Sequence, residues 1–321
     1  LSLGCARIEQ TGGGGGGDDP VPQKFSGDFT GCYTGAFTNG NDYISGFESA
    51  TGRKLAVVMW FKSFAQDFPS LECSQVWARG SVPCITWEPW KGSVPDSDYT
   101  LQKIADGEFD AYISKWALDA KAFGHPFFLR FAHEMNGNWY PWDGAHNGLS
   151  EAPAKYIAAW KHVHGLFNAA GVLNVTWVWS VISESVPDET WNSIGNYYPG
   201  DAYVDWIGID GYNWGGSAWQ TFDQIFSSVY SQIRSSYPLK PVMIGEFASA
   251  PDGGDKAAWI TDAFSKIKSN YSGIKLFNWF NITKERDWTV ADSASYETAY
   301  KAAVAETSYF LDNVVLPSAS H

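Results

Sequence analysis

Eight short apolar runs punctuate the chain, and longer amphipathic stretches separate most of them. The runs are Gly31–Phe37, Leu55–Phe61, Pro83–Trp90, Phe127–Glu134, Val175–Val181, Val204–Tyr212, Pro241–Ala248 and Lys275–Asn281. Each is apolar along its length, the pattern of a parallel sheet buried on both faces. Helical spacing fills the intervals at about 43–51, 70–79, 99–123, 152–170, 222–236, 256–269 and 295–309. In the longest interval Leu101, Ile104, Phe109, Ile113, Trp116 and Ala120 recur at helical spacing. Strand and helix in strict alternation, about eight of each, predict an α/β fold of the (β/α)8 TIM-barrel type. The runner-up is an open doubly wound sheet, which needs a glycine-rich phosphate loop after its first strand; "GCYTGAF" followed by "TNGND" does not provide one.

The length of 321 residues suits a single barrel, expected over residues 26–321. Residues 1–25 are expected to stay outside it. They open "LSLGCARIEQTGGGGGGDDP" and resemble the end of a bacterial lipoprotein signal, with Cys5 as the lipidated residue and Gly12–Gly17 as a flexible tether. The residue three places before the cysteine is Ser2, where that signal has an apolar one, so an added leader stands as the other reading. The first implies a secreted or cell-surface lipoprotein of bacterial origin. In an exported protein two of Cys32, Cys73 and Cys84 are expected to pair. No cysteine forms a CxxC pair or has a histidine at ligand spacing, so a zinc site is not expected. The net charge of −13 repels phosphate backbones, so nucleic acid is not an expected partner; a neutral ligand and a monomer are.

Chemistry in such a barrel gathers at the C-terminal ends of the strands. The polar and aromatic residues collect there: Trp87, Glu88 and Trp90 after run three; His133, Glu134 and Asn136 after run four; Asp210, Tyr212, Asn213 and Trp214 after run six; Glu246 in run seven; Asn278, Trp279 and Asn281 in run eight. With 17 tryptophans in the chain, some are expected to stack on a ligand and the rest to fill the core. Glu134 and Glu246 close runs that face one another across the barrel mouth. Two carboxylates meeting over a neutral ligand are what glycoside hydrolysis needs, one protonated to serve the leaving oxygen and one ionised to attack the sugar. Pairing with Arg130 is the alternative role for either glutamate. Trp139 and Trp142 are expected to wall the cleft and keep water from the acid, with Asn136 in polar contact with sugar or carboxylate.

"RFAHEMNGNWYPW" (130–142) and "PVMIGEFAS" (241–249) resemble the two signature segments of glycoside hydrolase family 26. Its members are retaining endo-β-glycanases on a (β/α)8 barrel: mostly β-mannanases, with some mixed-linkage β-glucanases and β-1,3-xylanases. The resemblance covers roughly residues 31–310. It implies Glu134 as acid/base, Glu246 as nucleophile, His133 in the substrate site, Tyr212 holding the nucleophile and Trp279 as an aromatic floor. Many mannanases of the family carry Ser-Trp-His at the end of strand three, where this chain reads "ITWEPW", closer to the glucanase branch.

The expectation is therefore a retaining endo-β-glycanase that needs no cofactor and takes a β-linked polysaccharide or oligosaccharide. Family frequency puts β-mannan slightly ahead of mixed-linkage glucan, with β-1,3-xylan behind. Glu88, His133 and Asn213 are the groups expected to read the sugar 2-hydroxyl. A barrel that only binds polysaccharide is the rival outside enzymology, and intact Glu134 and Glu246 argue against it. A metal-dependent hydrolase or an aldolase would want a His/Asp set or a strand-end lysine, and the strand ends carry His133 and no lysine.

Overall fold

The computed structural model describes residues 24–92, 94 and 96–316; Cys5, the glycine run and the tether lie outside them. Eight parallel strands close on themselves: β1 (Cys32–Phe37), β2 (Val57–Ser63), β3 (Val82–Glu88), β4 (Phe127–Phe131), β5 (Val175–Ile182), β6 (Trp206–Asn213), β7 (Val242–Ser249) and β8 (Ile274–Phe280). Each pairs with the next in sequence, and β1 pairs with both β8 and β2, which closes the barrel. A two-residue strand, β9 (Phe310–Leu311), joins β1 at Cys32 and Tyr33. The helices around it are α1 (Ile44–Thr51), α2 (Ser70–Ala78), α3 (Leu101–Ala105), α4 (Asp110–Phe123), α5 (Ala152–Ala169), α6 (Phe222–Ser236), α7 (Lys256–Ser269) and α8 (Ala294–Ala303).

The closed barrel matches the expectation from the alternating runs, with two local differences. The long helix expected over 99–123 is two. Gly107, at φ +87°, follows α3 in the left-handed region that favours glycine, and the chain restarts as α4. The crossover from β5 to β6 holds only two short 3-10 turns, Thr190–Asn192 and Ile194–Tyr197, because its Pro, Gly and Asn content interrupts any apolar helical stripe.

Phe25, expected from the sequence to stay outside the barrel, instead plugs its N-terminal end because its ring finds an apolar seat there. Its ring stacks on Phe128 at 4.6 Å, its backbone N–H donates to Thr176 Oγ1 at 3.0 Å, and its carbonyl accepts from Trp206 Nε1 at 2.9 Å. Further in, the apolar filling gives way to polar groups. Arg130 of β4, fully buried, donates to Thr86 Oγ1 (2.8 Å), Ser180 Oγ (3.2 Å), Glu246 Oε1 (3.0 Å) and Asp210. A buried guanidinium is tolerated because its N–H groups meet acceptors and its charge meets carboxylates.

Cys32, Cys73 and Cys84 are all buried free thiols, so the expected disulfide is not formed among them. Cys32 and Cys84 lie on strands separated by β2, and Cys73 lies on α2. Burial pushes the Cys84 thiol up to about 12, which makes it inert. No helix among the described residues is long and apolar enough to cross a membrane.

Candidate active site

β4 ends at Phe131, and the next residues turn sharply to aim Glu134 into the barrel mouth. Ala132 (φ +46°) and Glu134 (φ +53°) both lie in the left-handed region. Such residues cost about 1–3 kcal/mol each and persist only where their surroundings fix them. Here they do. The Ala132 N–H donates to Trp87 O (3.0 Å) and its carbonyl accepts from Tyr156 Oη (3.1 Å). The His133 carbonyl accepts from Trp142 Nε1 (2.7 Å), and the Glu134 N–H donates to Ser180 O (2.9 Å).

Glu246 reaches the same space from β7 by a different device. Ile209 pairs with Ile244 and Asp210 with Glu246, leaving Gly245 as an extra residue in the ladder. A β-carbon at Gly245 would lie 2.3 Å from Asp210 Oδ1 and 2.8 Å from Arg130 Cζ, so only glycine allows those groups to pack against the strand. The bulge turns Glu246 toward the mouth while Phe247 packs outward against Trp279 at 5.1 Å.

The two carboxyls share one small volume. Glu134, Glu246, Asp210 and His133 each bring one polar atom to within 4.8 Å of the others. Four such atoms have the makings of a cation site, but Arg130 already supplies the positive charge, bonded to both Asp210 and Glu246. Glu246 Oε1 accepts from Arg130 and Oε2 from Tyr212 Oη at 2.7 Å. Glu134 has a different setting. Burial, and then the charges of Asp210 and Glu246, hold its carboxyl well above the usual range, against the pull of the Trp139 N–H bond to Oε2 (2.8 Å) and of Arg130. One carboxyl is thus pushed toward its protonated form beside another that accepts from Arg130 and Tyr212, the division that an acid and a nucleophile require.

Glu88, at the end of β3, is a fourth acid at this space. Burial, with a contribution from Glu246, raises its pKa to about 7. His133 is buried and held neutral by desolvation and by the charges of Arg130 and Lys284, with Nε2 3.8 Å from Glu246 Oε1.

A cleft of about 830 Å³ opens over the acids. Two aromatic groups line it. Trp90, Trp139 and Tyr140 accompany Glu134, with Trp90 and Tyr140 edge-on at 5.3 Å. Tyr212, Trp214 and Trp288 accompany Glu246, with Trp288 4.9 Å from Tyr212 and 5.3 Å from Trp214. Another depression, about 920 Å³, lies at the opposite, Phe25 end of the barrel and contains none of these acids.

The site brings together Glu134, Glu246, Glu88, Trp90, Trp139, Tyr212 and Trp214, with His133 just behind the acids. Five other sequence candidates sit elsewhere. Trp87 is fully buried against Trp116 at 4.3 Å, outside the barrel wall. Trp279 is buried between Phe247 and Tyr300, and Trp142 lies under Tyr140 at 4.3 Å, so neither forms the cleft surface. Asn136 is buried and braces the β5 end, bonding Ile182 N (2.9 Å) and Ile182 O (3.0 Å). Asn213 bonds Ser249 Oγ (2.9 Å) and Gln220 N (2.9 Å), a loop brace with no atom on the cleft. Tyr140 and Trp288 are cleft residues that the sequence reading missed. Both stand in loops, where no periodicity indicates which side chain turns inward. Arg130 was foreseen only as a partner for a glutamate; a lone arginine in the apolar run "FFLRF" was the available signal of a buried charge cluster.

Comparison with known proteins bears on the family and the fold. The sequence profile of glycosyl hydrolase family 26 matches residues 69–290. The chain is 41% identical over 268 residues to endoglucanase H of Acetivibrio thermocellus, covering 81% of this chain and 29% of that protein. It is 24% identical over 219 residues to the β-1,3-xylanase TXYA of a Vibrio species, covering 62% and 44%. It thus spans less than half the length of either relative. The fold matches that of a β-mannanase from Bacteroides ovatus with a TM-score of 0.69 at 18% identity, over 92% of this chain and 95% of the other. Barrel, paired acids and matched profile converge: the chain belongs to glycosyl hydrolase family 26.

Proposed function

We propose that the protein is a retaining endo-β-glycanase acting on mixed-linkage β-glucan. The observation that carries the hydrolytic reading is the pair Glu134 and Glu246, with an oxygen of each within 4.8 Å, the first in a buried setting that favours its neutral form and the second facing Arg130 and Tyr212. Acids about 5–5.5 Å apart attack directly, whereas a separation of roughly 6.5–9.5 Å leaves room for an intervening water.

In the first step a Glu246 oxygen bonds to the anomeric carbon as the bond to the leaving oxygen breaks. The Glu134 proton passes to that oxygen, and the sugar remains as an ester of Glu246. In the second step Glu134, now ionised, takes a proton from water whose oxygen attacks the same carbon and frees Glu246. Trp139 fixes the Glu134 carboxyl, Tyr212 and Arg130 align Glu246, and the aromatic walls keep the acid dry. Cleft aromatics on both sides of the acids suit a chain that lies across them, hence endo action.

The sugar is argued from two points. The relative at 41% identity is named an endoglucanase. At the end of β3 the cleft carries Glu88 and Trp90. Together these outweigh the frequency of mannanases in the family, which had favoured mannan. Reducing-sugar release from barley-type β-glucan, galactomannan and β-1,3-xylan tests the assignment. Oligosaccharides from the glucan, and a rate at least about tenfold lower on the others, are expected from a polar subsite mismatch of about 1–3 kcal/mol. Faster cleavage of mannan would contradict it.

A further inference from the structure

Lys256 stands where a lysine is least expected. It is the first residue of α7, at the positive end of a 14-residue helix, and it is 1% exposed. A buried ammonium at a helix N-terminus is unfavourable on both counts unless specific acceptors meet it. They do: Nζ donates to the carbonyls of Asp287 (3.1 Å) and Thr289 (2.8 Å) and lies 5.1 Å from the centre of the Tyr296 ring. The carbonyl between those two, that of Trp288, accepts from Trp279 Nε1 at 3.0 Å. Three consecutive carbonyls are therefore held from behind by two buried side chains. The residue at their centre, Trp288, packs at 4.9 Å on Tyr212, whose hydroxyl is 2.7 Å from Glu246 Oε2.

We propose that Lys256 is a positioning residue for the reaction, fixing the 287–289 segment so that Trp288 holds Tyr212 in hydrogen-bond register with the nucleophile. Lys256 itself touches neither substrate nor carboxylate; it acts through Trp288 and Tyr212. Burial lowers its pKa to about 8, as expected for an ammonium kept dry to serve carbonyls instead of water. The assignment rests on the glycanase reading for its kinetic arm alone.

The test is a double-mutant cycle with Lys256→Met and Tyr212→Phe, in the full chain, on the polysaccharide that the wild type cleaves fastest. Lys256→Met should lower kcat by about tenfold with KM little changed, short of the hundredfold of a 1 Å displacement at the reacting atoms. In the Tyr212→Phe background the same change should lower kcat no further. A Lys256→Met loss that multiplies with the Tyr212→Phe loss overturns the proposal, as does an unchanged kcat. If Lys256→Met gives no folded protein, Lys256→Gln, which keeps one donor, goes through the same cycle with the same two outcomes. A crystal structure of the lysine variant reads the geometry without any activity. The Tyr212 hydroxyl should lie beyond hydrogen-bond distance of Glu246, and its persistence in place overturns the proposal even if no substrate has been found.

Discussion

Glu134 leaves β4 through two left-handed residues that are not glycine, and that strain places its carboxyl opposite Glu246. The hydrogen bonds to the Ala132, His133 and Glu134 backbone come from β3, α5, β5 and Trp142, so the acid's position is set by much of the barrel. Glu88 shows the energetic side of placing acids here. Its pKa rises from 4.5 to about 7, so in the folded protein it keeps a proton that the unfolded chain releases. Its stabilising contribution is full below pH 4.5 and is lost as pH rises through about 7. Glu88→Gln cannot release that proton. The thermal midpoint of the wild type should therefore fall more steeply than that of the variant across this window, by about 2–4 °C for each kcal/mol involved. Differential scanning calorimetry at a series of pH values decides it, and parallel slopes for the two proteins would contradict the assignment.

At the scale of elements, barrel strands point successive residues to opposite faces. Glu88 and Phe280 face the cleft, so their neighbours Trp87 and Trp279 must face the helices, as they do. That correction was available in the sequence, because the side chains of two adjacent strand residues point to opposite faces of the barrel wall. The paired acids were legible for a related reason: a carboxylate at the end of an apolar run needs a partner or a task, and both ends open on the same mouth. Tyr140 and Trp288 were not legible, since the path of a loop depends on contacts far away in sequence, such as Lys256 with Asp287 and Thr289. The helix-free β5–β6 crossover likewise left only an absence of pattern. The Phe25 plug belongs to this scale too. Phe25→Ala should destabilise the fold by about 3–5 kcal/mol, the usual cost of removing a buried phenylalanine. It should leave kcat nearly unchanged, because Phe25 seals the barrel end opposite the acids. Urea denaturation and turnover measured on the same preparation check both halves; a stable variant with impaired turnover would refute this division.

For the whole molecule, the closed sheet separates two tasks. One end is filled with packed rings, and the other collects four acids, an arginine and two aromatic groups around an open cleft. Arg130 joins the two, rooted in the barrel interior and bonded to Glu246 at the mouth. We propose a double displacement at this mouth, with Glu246 as nucleophile and Glu134 as acid. It is tested most directly by mixing Glu134→Gln with an activated aryl β-glycoside of the preferred sugar and mapping the protein by mass spectrometry. A good leaving group departs without help from the acid, while release of the ester still needs the missing base. The account predicts a burst of aryl alcohol and one glycosyl group esterified to Glu246; no adduct, or an adduct on another residue, would contradict it.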